Sequence, residues 1–258
     1  PAGAQDGVVI KINPTCTSVI WASFLGGDGD DGAFVIGVRP STNEIYVAGS
    51  TPSRNVAHSK AGAYQPTYQG GNADGFMARI SNDGTQLINW TYMGTPAFDA
   101  IYGIQFDRNS IPYVMGVSEG NWPVQNAAWS VPNSKQFIAK VEPDLSGFIY
   151  STVYGSGASK PNISPVAFLV DRCENVYVSG WGGWIVPNGN SYNMAGTAGM
   201  PTTPDAIKSV TDNRDMYFIV IKKDASDLLY GTFFGQSGGE GEHVDGGTSR
   251  YDEMGVIY

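Results

Sequence analysis

The sequence predicts an all-β fold, a β-propeller built of four-stranded antiparallel blades and part of a larger propeller. Three observations predict it. Short apolar runs bounded by Gly, Asn, Asp and Pro recur along the chain, the pattern of strands between turns. The runs return in one order in units of roughly 60 to 80 residues, and about four strands in a unit of that size suggests a propeller blade. Helical periodicity is nearly absent; the best candidate, Pro204-Asp205-Ala206-Ile207-Lys208-Ser209-Val210, is one or two turns at most.

The opening run of each unit is an aromatic and hydroxyl strand closed by glycine. It reads Ile20-Trp21-Ala22-Ser23-Phe24-Leu25-Gly26, then Ile88-Asn89-Trp90-Thr91-Tyr92-Met93-Gly94. It returns as Ile149-Tyr150-Ser151-Thr152-Val153-Tyr154-Gly155 and Leu229-Tyr230-Gly231-Thr232-Phe233-Phe234-Gly235. The closing glycines lie 68, 61 and 80 residues apart, and Ser23, Thr91, Thr152 and Thr232 hold one slot. A later run, Ile45-Tyr46-Val47-Ala48-Gly49, matches Pro112-Tyr113-Val114-Met115-Gly116 and Val176-Tyr177-Val178-Ser179-Gly180. A last run ends each unit: Asp74–Ile80, Gln136–Val141 and Met216–Ile221, with Asp6–Ile12 as the same run of an earlier unit. Lys11, Arg79 and Lys140 share a slot that Val220 breaks. In the first whole unit the four runs fall near 21–26, 33–39, 44–50 and 74–80.

The units divide the chain into 1–19 (the end of a blade), 20–87, 88–148 and 149–228 (whole blades) and 229–258 (the start of another). Asp252-Glu253-Met254-Gly255-Val256-Ile257-Tyr258 aligns with Asp171-Arg172-Cys173-Glu174-Asn175-Val176-Tyr177. A domain ending inside a strand leaves backbone groups unpaired, so a piece of a longer polypeptide is expected. A four-bladed ring closed by its own termini is the alternative.

Composition agrees and removes several functions. The 258 residues include 34 Gly and 15 Pro, and 12% are aromatic, which suits a turn-rich β chain. Fifteen basic against 24 acidic residues give a net charge of −9, which argues against nucleic acid and against an anionic membrane surface. No apolar run reaches the roughly 18 residues of a transmembrane segment. Cys16 and Cys173 are too few for a disulfide scaffold and lack metal-site spacing; two free or partly buried thiols are expected.

These motifs resemble the SBBP repeat, a seven-bladed β-propeller repeat of secreted bacterial proteins. The resemblance rests on the aromatic–hydroxyl–aromatic–Gly strand, the Ile-Tyr-Val-x-Gly strand, Gly62-Ala63-Tyr64-Gln65 and Asp74-Gly75-Phe76, with Met200–Ile207 similar to the family's connection, and covers nearly the whole chain. A narrower likeness, in Asn175–Gly183 and His243–Asp252, is to large cell-surface proteins of the Bacteroidota, which often carry PKD modules. The resemblance implies export by type IX secretion, an extracellular or outer-surface location, and a link to gliding motility. Other domains of the same polypeptide, outer-membrane or type IX secretion proteins, and glycans are the partners it implies.

Candidate sites are few. The longest insertion, roughly 181–203, carries Trp181, Trp184 and Tyr192 among Asn188, Asn190 and Asn193. Exposed aromatics beside amides suit a sugar or protein platform, and these three are the expected ligand-binding residues; packing of Trp181 between blades is the plainer alternative, and Trp122 and Trp129 are expected in the core. Asp28, Asp30 and Asp31 lie in Gly26-Gly27-Asp28-Gly29-Asp30-Asp31-Gly32. They lack a calcium-loop pattern and read as a solvated turn. His243 among Glu240, Glu242 and Asp245 reads as a connection, His58 is the only other histidine, and no nucleophile triad or phosphate loop is recognisable. No metal and no cofactor are expected. The function expected is a non-enzymatic scaffold or adhesion module. A carbohydrate-binding module, and a component or cargo of the secretion and gliding machinery, are the alternatives.

Overall fold

A computed structural model describes residues 5–56, 61–183 and 194–238. The strands are β1 (Gly7–Ile12), β2 (Val19–Leu25), β3 (Gly32–Val38), β4 (Ile45–Thr51), β5 (Asp74–Ile80), β6 (Leu87–Met93) and β7 (Asp99–Phe106). They continue as β8 (Pro112–Ser118), β9 (Gln136–Val141), β10 (Phe148–Tyr154), β11 (Ile163–Val170), β12 (Val176–Gly182), β13 (Met216–Ile221) and β14 (Leu228–Phe234). The chain is all-β, with one 3-10 turn at Lys223–Ala225 among the described residues. The segment 204–210 forms no helix: it lies along β14, where the Phe233 N–H donates to the Lys208 carbonyl at 2.9 Å.

Every sheet is antiparallel and joins strands in chain order. β1 and β2 form a two-stranded sheet, followed by four-stranded sheets β3–β6, β7–β10 and β11–β14. The sheets are cut one strand later than the sequence repeat. The strand that opens each repeat unit closes a sheet, because it pairs with the last run of the unit before it: Met77 lies opposite Thr91, Ile138 opposite Thr152, and Phe218 opposite Thr232.

Side-chain alternation assigns each face of a sheet to a different core. On β5, Phe76, Ala78 and Ile80 enter a cluster with Val9 and Leu25 of the first sheet, whereas Met77 enters the next cluster with Phe137, Ala139 and Val141 of β9. On β9, Ile138 turns to a third cluster with Tyr217, Ile219 and Ile221 of β13. Three cores thus lie between four successive sheets. Central strands buried on both faces need continuous apolar sequence, which explains runs such as Phe76-Met77-Ala78. The first strands of neighbouring four-stranded sheets also meet, β3 against β7 and β7 against β11; we term these meeting first strands the inner strands.

Each inner strand carries a β-bulge at one slot. Pairing with the next strand skips Phe34, Tyr102 and Val166. A bulge re-aims one side chain and sharpens the twist.

Candidate functional site

The insertion after β12 was the place where aromatics were expected to meet a ligand. Trp181 lies within β12, opposite Met216, and is only 5% exposed. Its ring is part of the fold, and no ligand can stack on it while that packing stands. Trp184 and Tyr192 lie outside the described residues, as do His58, His243 and the acids around His243. Trp122 is a core residue: its ring stacks on Phe137 at 3.5 Å and its Nε1–H donates to Ser151 Oγ at 2.8 Å. Trp129 is partly buried against the core between the last two sheets.

The aspartates after Gly26 serve the local fold. Asp31 is buried and accepts from the Gly27 N–H at 2.7 Å, from Ser53 Oγ at 2.8 Å and from Thr51 Oγ1. Asp28 and Asp30 accept backbone N–H groups of Arg54 and Gln5. In the next sheet Asp99 does the same work, accepting from the Thr95 N–H at 2.6 Å, and Asn162 does it in the last, accepting from the Ser156 N–H at 2.8 Å. Among the described residues no group of three or more His, Cys, Asp or Glu is placed to hold a metal. Cys16 and Cys173 are both free and exposed.

Two carboxyls at the rim stand apart electrostatically. Asp74 Oδ2 accepts from the Gln69 N–H at 2.5 Å, and its Oδ1 is buried without a partner. Burial raises its pKa to about 7, and the neighbouring Asp99 adds to the rise. Asp99 is raised to about 6 by burial, against the hydrogen bonds from Ser118 and Thr95.

The shared basic slot ties sheets together. Lys140 bonds Asp107 Oδ2 at 3.0 Å in its own sheet and Glu174 Oε2 at 2.8 Å in the next, while Lys223 reaches Glu174 Oε1 at 2.9 Å. Burial alone would raise the Glu174 carboxyl; the two ammonium groups overcome it and hold its pKa at about 2. Lys11 reaches Asn82 of the second sheet at 2.7 Å, whereas Arg79 stays within its own sheet, in a two-point contact with Glu44 at 2.6 and 3.0 Å.

A groove of about 330 Å³ lies between the ends of β7 and β11, lined by the turns Asp107-Arg108 and Asp171-Arg172. Both carboxylates are engaged internally: Asp107 holds Lys140, and Asp171 accepts from the Cys173 and Asn175 N–H groups. The bulges give the inner edge its own feature. Phe34 and Tyr102 are exposed and stack with ring centroids 5.6 Å apart and planes 12° from parallel. Sequence reasoning missed this pair, because the bulge at each of the two positions has no signature of its own in the sequence.

No helix of the described residues is long and apolar enough to cross a membrane. Neither protein-family models nor curated proteins gave a match to this chain.

Proposed function

We propose that the sheets are blades of a β-propeller and that the chain is a rigid, non-enzymatic scaffold or adhesion module of a larger secreted or surface-exposed bacterial polypeptide. One observation carries this reading. Three sheets repeat a single plan, with first strands meeting side by side and each successive pair of sheets sharing a core. Blades around an axis share that plan, and repeated blades leave loops free to vary. Asp31, Asp99, Asp107 and Glu174 are occupied in caps and ion pairs, which supports a structural role for them. The net charge of −9 favours solubility outside the cell. Type IX export, an origin in the Bacteroidota, a tie to gliding and an about seven-bladed ring rest on the sequence resemblance. Partners would be the neighbouring domains of the same polypeptide, outer-membrane proteins or glycans.

Electron microscopy of the parent polypeptide tests the architecture: a disc with a central channel is expected, and a straight stack of sheets would overturn it. Protease shaving of intact cells expressing that polypeptide tests the location, since a protected protein would remove the surface reading.

A further inference from the structure

Two residue slots recur where the chain passes from one sheet to the next. Asp6, Asp74, Lys135 and Asp215 share the first. Each precedes the residue paired with the end of a sheet's last strand: Gly7 opposite Leu25, Gly75 opposite Met93, Gln136 opposite Tyr154 and Met216 opposite Phe234. Asp31, Asp99 and Asn162 share the second slot, each capping the N–H that follows the glycine closing that strand. The two slots adjoin. The Asp31 N–H donates to the Gln5 carbonyl at 2.8 Å and the Asp99 N–H to the Ala73 carbonyl at 2.9 Å, in each case the residue before the first slot. A methyl group on Gly26 would collide with both Asp6 Oδ1 and Asp31 Oδ2, and one on Gly94 with Asp74 Oδ1. The closing glycine therefore keeps open a gap that the acids face.

The charge in these slots differs from joint to joint. Between the third and fourth sheets Lys135 stands beside the neutral Asn162; it is only 8% exposed, and its Nζ donates to the Gly120 carbonyl at 2.7 Å. In the last sheet Asp215 has Lys208 Nζ at 2.5 Å. Both places carry their own ammonium group. The joint between the second and third sheets has two acids instead. Asp74 and Asp99 are each 0% exposed, and among the described residues neither forms an ion pair. Asp74 Oδ1 is buried with no partner. Burial raises both carboxyls; the Asp99 charge adds to the rise at Asp74, and the Glu119 charge to that at Asp99. Two adjoining buried carboxylates keep their charges only beside a cation.

We propose that Asp74 and Asp99 form a calcium site that ties the second sheet to the third, where the ion supplies the positive charge that Lys135 and Lys208 supply elsewhere. The donors are hard carboxylate oxygens carrying two negative charges, which suits a divalent ion of the calcium type. Calcium accepts irregular geometry and completes its shell with carbonyls and water. Its binding stands whether or not the sheets close into a ring.

The test strips the full chain with a chelator at pH 8 and reads terbium luminescence and Tm. Tyr68 and Tyr92 both feel the Asp74 charge and should sensitise a Tb³⁺ ion bound there. Saturable luminescence is expected, displaced by Ca²⁺ with a dissociation constant of about 0.1–1 mM, the range of extracellular modules. Ca²⁺ should raise Tm, and NaCl at equal ionic strength should not. Asp74→Asn and Asp99→Asn should each weaken Ca²⁺ binding about 10-fold or more, since ligand charge sets affinity, and should remove the Tm response. Asp205→Asn, at an exposed position, should change neither. Asp74→Lys, which copies the third joint, should fold without calcium and ignore it. Calcium binding that persists in both Asn variants puts the ion elsewhere and overturns the assignment. So does an equal Tm gain from NaCl, which is screening. A Tm that falls from pH 5 to pH 8 and is not restored by Ca²⁺ overturns it too, because the pair then holds a proton and no metal.

Discussion

Gly49, Gly116 and Gly180 close the Tyr-Val-x-Gly run in three sheets, and one steric fact explains them. Each lies opposite the inner strand just before its bulge, at Ala33, Ile101 and Pro165. A methyl group there would collide with the carbonyl oxygen of Gly32, Ala100 or Ser164. Gly116→Ala is therefore expected to cost about 1–3 kcal/mol, the range of an overpacked core, read as a lower urea midpoint with unchanged slope. The glycine is legible in the sequence as a repeat; the bulge that requires it is not, because one extra residue in an apolar run has no signature of its own. Glu174 shows the same limit. It reads as a turn residue, yet it lies between Lys140 and Lys223 from two distant segments. Glu174→Ala leaves Lys140 with Asp107 alone, so its cost should sit near the low end for breaking a buried pair, about 3 kcal/mol. Asp74 and Asp99 set the pH dependence. Their folded pKa values, about 7 and about 6, lie above the 3.8 of an ordinary aspartate, so the stability they give is complete below about pH 4 and is lost as pH rises through 6 and 7. Tm should fall between pH 5 and pH 8, and Asp74→Asn should flatten that slope and raise Tm at pH 8. A steeper slope in Asp74→Asn would refute the assignment.

The hydroxyl slot acquires its reason at the level of the element. Each four-stranded sheet has a strap that leaves its second strand and runs along its fourth. Thr91 Oγ1 accepts from the Gln65 N–H at 3.0 Å, Thr152 Oγ1 donates to the Trp129 carbonyl at 2.6 Å, and Thr232 Oγ1 accepts from the Lys208 N–H at 3.0 Å. The strap in turn grips the next sheet: the Tyr64 N–H donates to Leu145 at 2.9 Å and the Trp129 N–H to Ala225 at 2.8 Å. Thr152→Val keeps the shape and removes the bond, which should cost about 1 kcal/mol. Local strain in the strap should show as faster amide exchange at Val131, whose N–H bonds the Val153 carbonyl. Equal exchange in the variant would mean that the backbone bonds suffice. Element type and order were readable from Gly and Pro punctuation and from the repeat. The grouping into sheets was not, since the repeat is the same whichever strand is counted first and hydrogen bonding alone decides where a sheet begins.

Among the described residues, side chains of one repeat slot are covered where a further sheet is described and exposed where none is. The slot that holds Tyr64 and Trp129 holds Ile207 in the last sheet. Tyr64 packs on Phe148 at 4.6 Å, and Trp129 is partly buried against the third core. Ile207 is 80% exposed beside Phe233 and Phe234, around a groove of about 360 Å³. One residue slot thus has two energetic meanings among the described residues, set by whether a described sheet packs on it. Ile207→Ser should change stability by less than about 0.5 kcal/mol in the chain alone, as surface substitutions do. Trp129→Ser, in the same slot and equally polar, loses packing against the next sheet and should cost about 3 kcal/mol, the low end for truncating a large core aromatic. Urea unfolding of the two variants beside the parent chain reads the difference directly. Equal losses would mean that Ile207 is covered in solution and that the array has a neighbour on this side as well; a loss at Trp129 alone locates the last covered interface between β7–β10 and β11–β14.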